Sequence, residues 1–269
     1  MEASVVSKPF ANIGKHISHS QASMFDKCEL AWWFKYIKGI VKPPTIHMLL
    51  GQCYHKALAH NFHQKRITGV DIPIEEVLRQ YNISFQQAIR AGEIDADPAL
   101  DLEQYRRPVE NLLAHYYNEY VVGKMEPILV EQEFACPVPG CDRTFAGIID
   151  VQLSDGTMID FKVTSRKWSS SDVAENKKST AYAMLIGYDV AFEFHIGLRA
   201  NVKPAVQVVK LQRTKDDVEE YIQHLHDVVS RIGEIEEGRT QPDPFSGYCN
   251  EKMCQYYWEC HGNRYGGNE

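Results

Sequence analysis

The rhythm of polar and apolar positions changes near residue 125. Before it the spacing is helical. Ser18-His-Ser-Gln21 has the spacing of a capping box, and the positions that follow, Phe25, Cys28, Leu30, Trp33 and Ile37, predict a helix closed by Gly39 and Pro43-Pro44. A second helix is predicted from about Thr45 to Arg66 and carries His55, and two more lie near Ile74–Ala91 and Leu100–Val122. Beyond residue 125 an alternation of period two takes over. Ile128–Phe134 alternates imperfectly, Phe145–Leu153 and Met158–Val163 read as two further strands, and Asp155-Gly156 is a strong turn signal between those two. A helix follows over Ser171–Tyr188, then strands over Val190–Leu198 and Ala205–Leu211. A charged helix over Lys215–Glu237 places Tyr221, Leu225, Val228, Val229 and Ile232 on one side. This order predicts an α/β (mixed α+β) chain with a central mixed β-sheet flanked by helices.

Composition narrows the picture. At 269 residues, 44% hydrophobic and 24% charged, the chain matches an ordinary soluble globular protein able to bury a large core. The longest apolar stretch, Ala181–Leu198, is interrupted by Asp189, Glu193 and His195, which argues against a membrane span. Met1–Lys8 lacks the basic start and apolar core of a secretion signal, so a cytoplasmic location is expected. In that setting seven cysteines read as thiols or metal ligands rather than disulfides. The net charge of −7 speaks against a nucleic-acid partner, but it hides a division: Asp160–Lys215 holds ten Lys/Arg against five Asp/Glu, and Asp216–Glu269 four against twelve. A basic segment can face a polyanion while an acidic one does not.

Candidate chemistry gathers around Asp160-Phe161-Lys162. Alternating strand geometry puts Asp160 and Lys162 on one face, about 7 Å apart. The Asp155-Gly156 turn can bring Asp150 beside Asp160. Two close carboxylates repel unless a cation lies between them, and a hard divalent ion such as Mg²⁺ or Mn²⁺ suits oxygen ligands. A lysine beside such a site can orient water and stabilise phosphate charge. Taken alone, Asp-x-Lys in a strand is equally a pair of solvated charges. Arg166, Lys167, Trp168, Lys177 and Lys178 follow this strand. Basic side chains with an aromatic among them fit single-stranded nucleic acid, or else a solvated loop with one packed Trp. No Walker motif is present, so helicase or ATPase activity would have to come from a partner. Cys249, Cys254 and Cys260 are spaced as a metal site lacking one ligand, with His261 a possible substitute. Cys136 and Cys141 read as incidental thiols at a hairpin tip, and Cys53 as a packing residue.

Along nearly its whole length the sequence resembles the PD-(D/E)xK nucleases, specifically the RecB-like exonuclease branch, which includes CRISPR-associated and phage-encoded members. The motifs come in order: Ile17–Cys28 and Trp32-Trp33-Phe34, Gly51-Gln-Cys-Tyr-His55, Gly147-Ile-Ile-Asp150, Ile159-Asp-Phe-Lys162, the helix containing Tyr182, and the terminal cysteines. The resemblance implies a restriction-endonuclease-like core and a single nuclease domain. Its parts would be a helical segment over about 1–125, the core over about 126–215, and a C-terminal helix and cysteine cluster over about 216–269. It implies His55, Asp150, Asp160 and the Phe161 carbonyl as ligands of Mg²⁺ or Mn²⁺, with Lys162 as the catalytic lysine and Tyr182 as a further catalytic residue. It also implies a structural 4Fe-4S cluster on Cys28, Cys249, Cys254 and Cys260, although four thiolates suit Zn²⁺ as well. One departure stands out: Lys178 falls where the family's Gln-x-x-x-Tyr has glutamine. The expected activity is metal-dependent exonucleolytic hydrolysis of DNA from its ends, with single strands preferred, in recombination, repair or DNA processing, with a helicase, recombination or CRISPR protein as possible partner. The competing readings are a DNA-binding or assembly module with little chemistry, and a zinc-stapled protein unrelated to nucleases.

Overall fold

The computed structural model of the protein describes residues 15–94, 99–188, 190–199, 203–244, 249–251 and 253–262. The N-terminal Met1–Lys8, read above as lacking a secretion signal, lies outside them. The strands are β1 (His16–Ser18), β2 (Pro127–Pro137), β3 (Thr144–Leu153), β4 (Met158–Thr164), β5 (Phe192–Leu198) and β6 (Val206–Leu211). They form one sheet in the order β1-β3-β4-β5-β6, with β2 also paired to β3. β1–β3 and β4–β5 run parallel, β3–β4 and β5–β6 antiparallel. The sheet is therefore mixed and flanked by helices, as the sequence predicts. No described helix is long and apolar enough to cross a membrane.

Contacts divide the described chain into two compact units. The first comprises the described parts of Met1–Lys42, Ala135–Gly147 and Glu219–Glu269. Here the single helix predicted through Cys28 is two, α1 (His19–Lys27) and α2 (Glu29–Tyr36). Ser18 caps α1 by accepting from Gln21 N at 3.2 Å. At Cys28 the backbone turns extended (φ −168°, ψ 111°) and its sulfur accepts from Ala31 N at 3.5 Å. Cys28 thus caps a new helix instead of continuing the old one. Ring contacts pack this unit: Phe25 meets Trp32 edge-on at 5.3 Å, and Phe145 meets Tyr221 at 6.1 Å.

The second unit comprises the described parts of Pro43–Phe134 and Ile148–Val218. Its helices are α3 (Ile46–Thr68), α4 (Ile74–Arg90) and α5 (Glu103–Tyr116), the last running into a π-helical turn over Tyr117–Val121. Thr45 caps α3, and Gly69, at φ 75°, closes it in the left-handed conformation where glycine carries no Cβ penalty. The core gathers Leu50, Tyr54, Leu58 and Phe62 of α3 with Val77, Tyr81, Leu112, Tyr116, Val151, Ile159 and Phe161. The helix predicted over Ser171–Tyr188 is also two, α6 (Ser170–Glu175) and α7 (Lys178–Ile186). Asn176 interrupts it with an extended backbone and accepts from Lys178 N through Oδ1 at 3.0 Å. The break makes Lys178 the first residue of α7. From Glu219 on, the remainder of α8 (Lys215–Glu236) and α9 (Tyr257–His261) belong to the first unit.

Candidate active site

Strands β3 and β4 pair through Val151↔Ile159 and Gln152↔Met158. One step further in this register Asp150 stands opposite Asp160. There the main-chain ladder gives way to side chains. A strand residue presents its N–H and C=O on the same edge, and both groups of Phe161 are taken up. Its N–H donates to Asp150 Oδ2 at 3.0 Å, and its carbonyl oxygen lies 2.8 Å from His55 Nε2, the geometry of an N–H donating to it. The other ring nitrogen of His55 stands 3.3 Å from Asp150 Oδ2. The Phe161 ring stacks on Phe62 of α3 at 6.0 Å and meets His55 edge-on at 5.8 Å, so one helix fixes both the ring and the imidazole.

On the opposite face of β4, Asp160 is 1% exposed and bound by two lysines, Lys162 on Oδ2 and Lys178 on Oδ1. Lys178 Nζ is also 4.0 Å from Asp150 Oδ1. Burial alone would raise the Asp160 carboxyl, but the two ammonium groups hold it well below the usual carboxylate range. Burial lowers the pKa of Lys162, and neighbouring Lys178 adds to this against the pull of Asp160. Burial works against the Lys178 ammonium too, yet Asp160, Tyr182 and Asp150 hold its pKa well above that of a free lysine. Tyr182, one turn along α7, stacks on Phe192 at 5.8 Å and donates its hydroxyl to the Ile148 carbonyl, two residues before Asp150.

A small cavity lies among His55, Ala59, Phe62, Glu131, Asp150 and Phe161. The space open to the centre of a water molecule is about 10 Å³, room for one water or one ion. Glu131 is the residue that the sequence reading passed over. Its backbone sits at φ 44°, the one non-glycine positive φ among the described residues. Strained residues of this kind cluster beside functional sites. The signal was the imperfect alternation of Ile128–Phe134: Val130 and Phe134 are buried while Glu131 points out of the run.

An imidazole, carboxylates and a main-chain carbonyl at an ion-sized cavity are a donor set that fits a divalent cation. Among the described residues, however, no three His, Cys, Asp or Glu side chains close on one point tightly enough to hold a metal as they stand. His55 is gathered with Asp150, while Asp160 is taken up by lysines.

The residues expected to meet nucleic acid are placed differently from one another. Arg166 is held by Asp172 through two bonds of 2.7 and 2.8 Å. Trp168 is half-buried, its ring 4.9 Å from Phe194, and its backbone N–H and carbonyl are both bonded to the Gln207 amide. Lys167 and Lys177 are exposed. Lys178 faces the carboxylates.

In the first unit Cys28, Cys249 and Cys254 line a cavity of about 410 Å³ with Met24, Lys27, Ala31, Met253, Gln255 and Tyr256. All four cysteines are free thiols. Burial raises the Cys254 and Cys260 thiols, and the other sulfurs of the group raise them further. His261 Nε2 lies 3.4 Å from Cys249 Sγ. Thiolates gathered this way would repel one another, and a bound metal would offset that repulsion, but as they stand no three of these side chains close on one point. The C-terminal segment is also tied down without them. Arg231 meets Glu29 at 3.0 Å, Tyr256 donates to Ile40 O at 2.8 Å and stacks on Phe34, and Lys42 pairs with Glu259.

Comparison with known proteins bears on this arrangement. The crystal structure of the "Putative exonuclease" from Eubacterium rectale superposes with a TM-score of 0.62 over 98% of this chain and 96% of that one, at 12% identity, which shows a shared fold. The crystal structure of SSO0001 aligns over 88% and 92% at 11% identity, with a TM-score of 0.34. No curated protein matches the sequence. The family model of the PD-(D/E)XK nuclease superfamily matches residues 16–261, a span holding His55, Asp150, Asp160, Phe161 and Lys162, and the chain belongs to that superfamily.

Proposed function

We propose that the protein is a metal-dependent deoxyribonuclease of the RecB-like branch, an exonuclease that hydrolyses DNA from its ends and favours single strands. The observation that carries this is the junction of β3 and β4, where Asp150 meets His55 of α3 and the Phe161 backbone, and Asp160, opposite Asp150 in the strand register, binds Lys162. His55, Asp150, Asp160 and the Phe161 carbonyl would hold Mg²⁺ or Mn²⁺, and Glu131, lining the same cavity, is the carboxylate best placed to join them. When bound, such an ion supplies Lewis acidity at a phosphate oxygen and lowers the pKa of a nucleophilic water. The chain's own part is positional and electrostatic. Lys162 presents an ammonium beside Asp160 where negative charge would build up on phosphorus oxygens. The Phe161 N–H fixes the Asp150 carboxylate, and the Tyr182 bond to Ile148 fixes the strand that bears it.

We assign Cys28, Cys249 and Cys254, which line one cavity, together with Cys260 to a structural 4Fe-4S cluster, distinct from the hydrolytic chemistry. The substrate reading rests on the basic stretch 162–178, of which Lys167 and Lys177 are exposed. The absence of a Walker motif fits work beside a helicase, recombination or CRISPR partner in recombination, repair or DNA processing. The test uses linear and circular DNA, single- and double-stranded and labelled at either end, with Mn²⁺, Mg²⁺ or EDTA. Metal-dependent loss of linear DNA from one end, with circles spared, is the expected result. Cutting of circles would make the enzyme an endonuclease, and no cutting by folded protein would favour a binding-only module.

A further inference from the structure

Asp150 and Asp160 stand opposite each other in the β3–β4 register, and one ammonium group already reaches both carboxylates. Lys178 binds Asp160 Oδ1 and stands 4.0 Å from Asp150 Oδ1. It reaches there because Asn176 breaks the preceding helix and starts α7 at Lys178. The ammonium also lies 5.3 Å from the centre of the Tyr182 ring, whose π-face favours a cation. Asp160 does not need Lys178 for a partner, since Lys162 holds its other oxygen. A buried carboxylate with two ammonium groups is therefore over-compensated, while Lys178 also comes within 4.0 Å of Asp150.

We infer that Lys178 is an internal counter-cation: its ammonium occupies the place between Asp150 and Asp160 that a divalent ion must take, so that loading the site displaces it. This rests on the nuclease reading and deepens it by naming what competes with the metal. A divalent ion bound by both carboxylates would stand close to the Lys178 ammonium and repel it, the more so because the site is largely screened from water. Displacing Lys178 subtracts from the binding of the divalent ion, so the protein takes up metal less readily than its carboxylates alone would. The side chain is long and jointed, and its backbone anchor at the start of α7 need not move for it to turn away.

The experiment is titration of the metal-free protein with Mn²⁺, read by calorimetry and by the electron paramagnetic resonance of free Mn²⁺. Wild type is compared with Lys178→Met, which keeps length and removes charge, and with Lys178→Arg, which keeps the charge. Circular dichroism checks that each variant folds, and Lys178→Gln is a second neutral variant should Lys178→Met fail. The neutral variants are expected to bind Mn²⁺ at least tenfold more tightly than wild type, and Lys178→Arg within about threefold of it. Unchanged or weaker binding in a folded neutral variant would overturn the inference while leaving the metal site standing. No Mn²⁺ binding by the wild type or by any variant would overturn the metal-dependent reading itself, and this inference with it.

Discussion

The main-chain N–H of Phe161 donates to the carboxylate of Asp150 at 3.0 Å, and this one bond carries both structure and chemistry. It replaces a rung of the β3–β4 ladder, and it fixes the carboxylate beside His55. The two contributions separate by substitution. Asp150→Asn keeps an acceptor for the N–H and should stay within about 1 kcal/mol of wild-type stability. Asp150→Ala leaves the N–H unpaired and should lose about 1–3 kcal/mol. Both should lose cleavage by roughly 100-fold or more, because both remove the charge. Urea denaturation beside the nuclease assay checks the split. Equal stability of the two variants would show that the hydrogen bond contributes little.

Tyr182 is buried with its hydroxyl donated to the Ile148 carbonyl. Burial raises its pKa, which keeps the hydroxyl protonated and donating across the physiological range. Tyr182→Phe should cost about 0.5–1.5 kcal/mol and lower kcat only a few-fold, through a looser β3. A loss comparable to that of Asp150→Asn would instead make the hydroxyl a participant in the reaction.

Glu193 on β5 has its carboxyl pulled down to about 2, first by the bond from His195 and then, against the effect of burial, by Lys210. A depressed carboxylate contributes stability that is fully present above its ordinary value near 4.5 and is lost as pH falls toward 2. Wild type should therefore exceed Glu193→Gln in melting temperature above pH 5, and the gap should close as the pH is lowered from 4.5 to 2. Thermal melts of both proteins at several pH values check this; a gap independent of pH would contradict it.

If the terminal cysteines hold a cluster, anaerobically purified protein should be brown with broad visible absorption. Cys249→Ser should bleach it and lower the melting temperature. Because Arg231–Glu29, Tyr256–Ile40 and Lys42–Glu259 already tie the C-terminal segment down, the bleached protein should still fold. Colourless wild-type protein with stoichiometric zinc would assign the thiols to zinc.

Much of this arrangement was legible in the sequence. The change from helical to alternating periodicity placed the elements, and the Asp155-Gly156 turn set Asp150 opposite Asp160. The misreadings share a cause. Cys28 and Asn176 sit inside stretches read as continuous helices, but each offers a side-chain atom to a nearby N–H, which breaks one predicted helix into two. Propensity and periodicity do not record such local competition for the backbone. Its consequence at Asn176 was the placing of Lys178 on Asp160 rather than on an exposed basic surface. Glu131 was missed because a left-handed residue within a strand leaves only a faulty alternation behind.

Lys162 and the carboxylates around it are the groups proposed to hydrolyse phosphodiesters. Lys162→Met is the most direct test, because Asp160 keeps Lys178 as partner and the strand keeps its packing. The measurement is the Mn²⁺-dependent cleavage rate of an end-labelled single-stranded oligonucleotide at saturating enzyme. The expected result is a fall of roughly 100-fold or more in a variant that still folds and still binds the oligonucleotide. A folded Lys162→Met protein that cuts within a few-fold of the wild-type rate would contradict it.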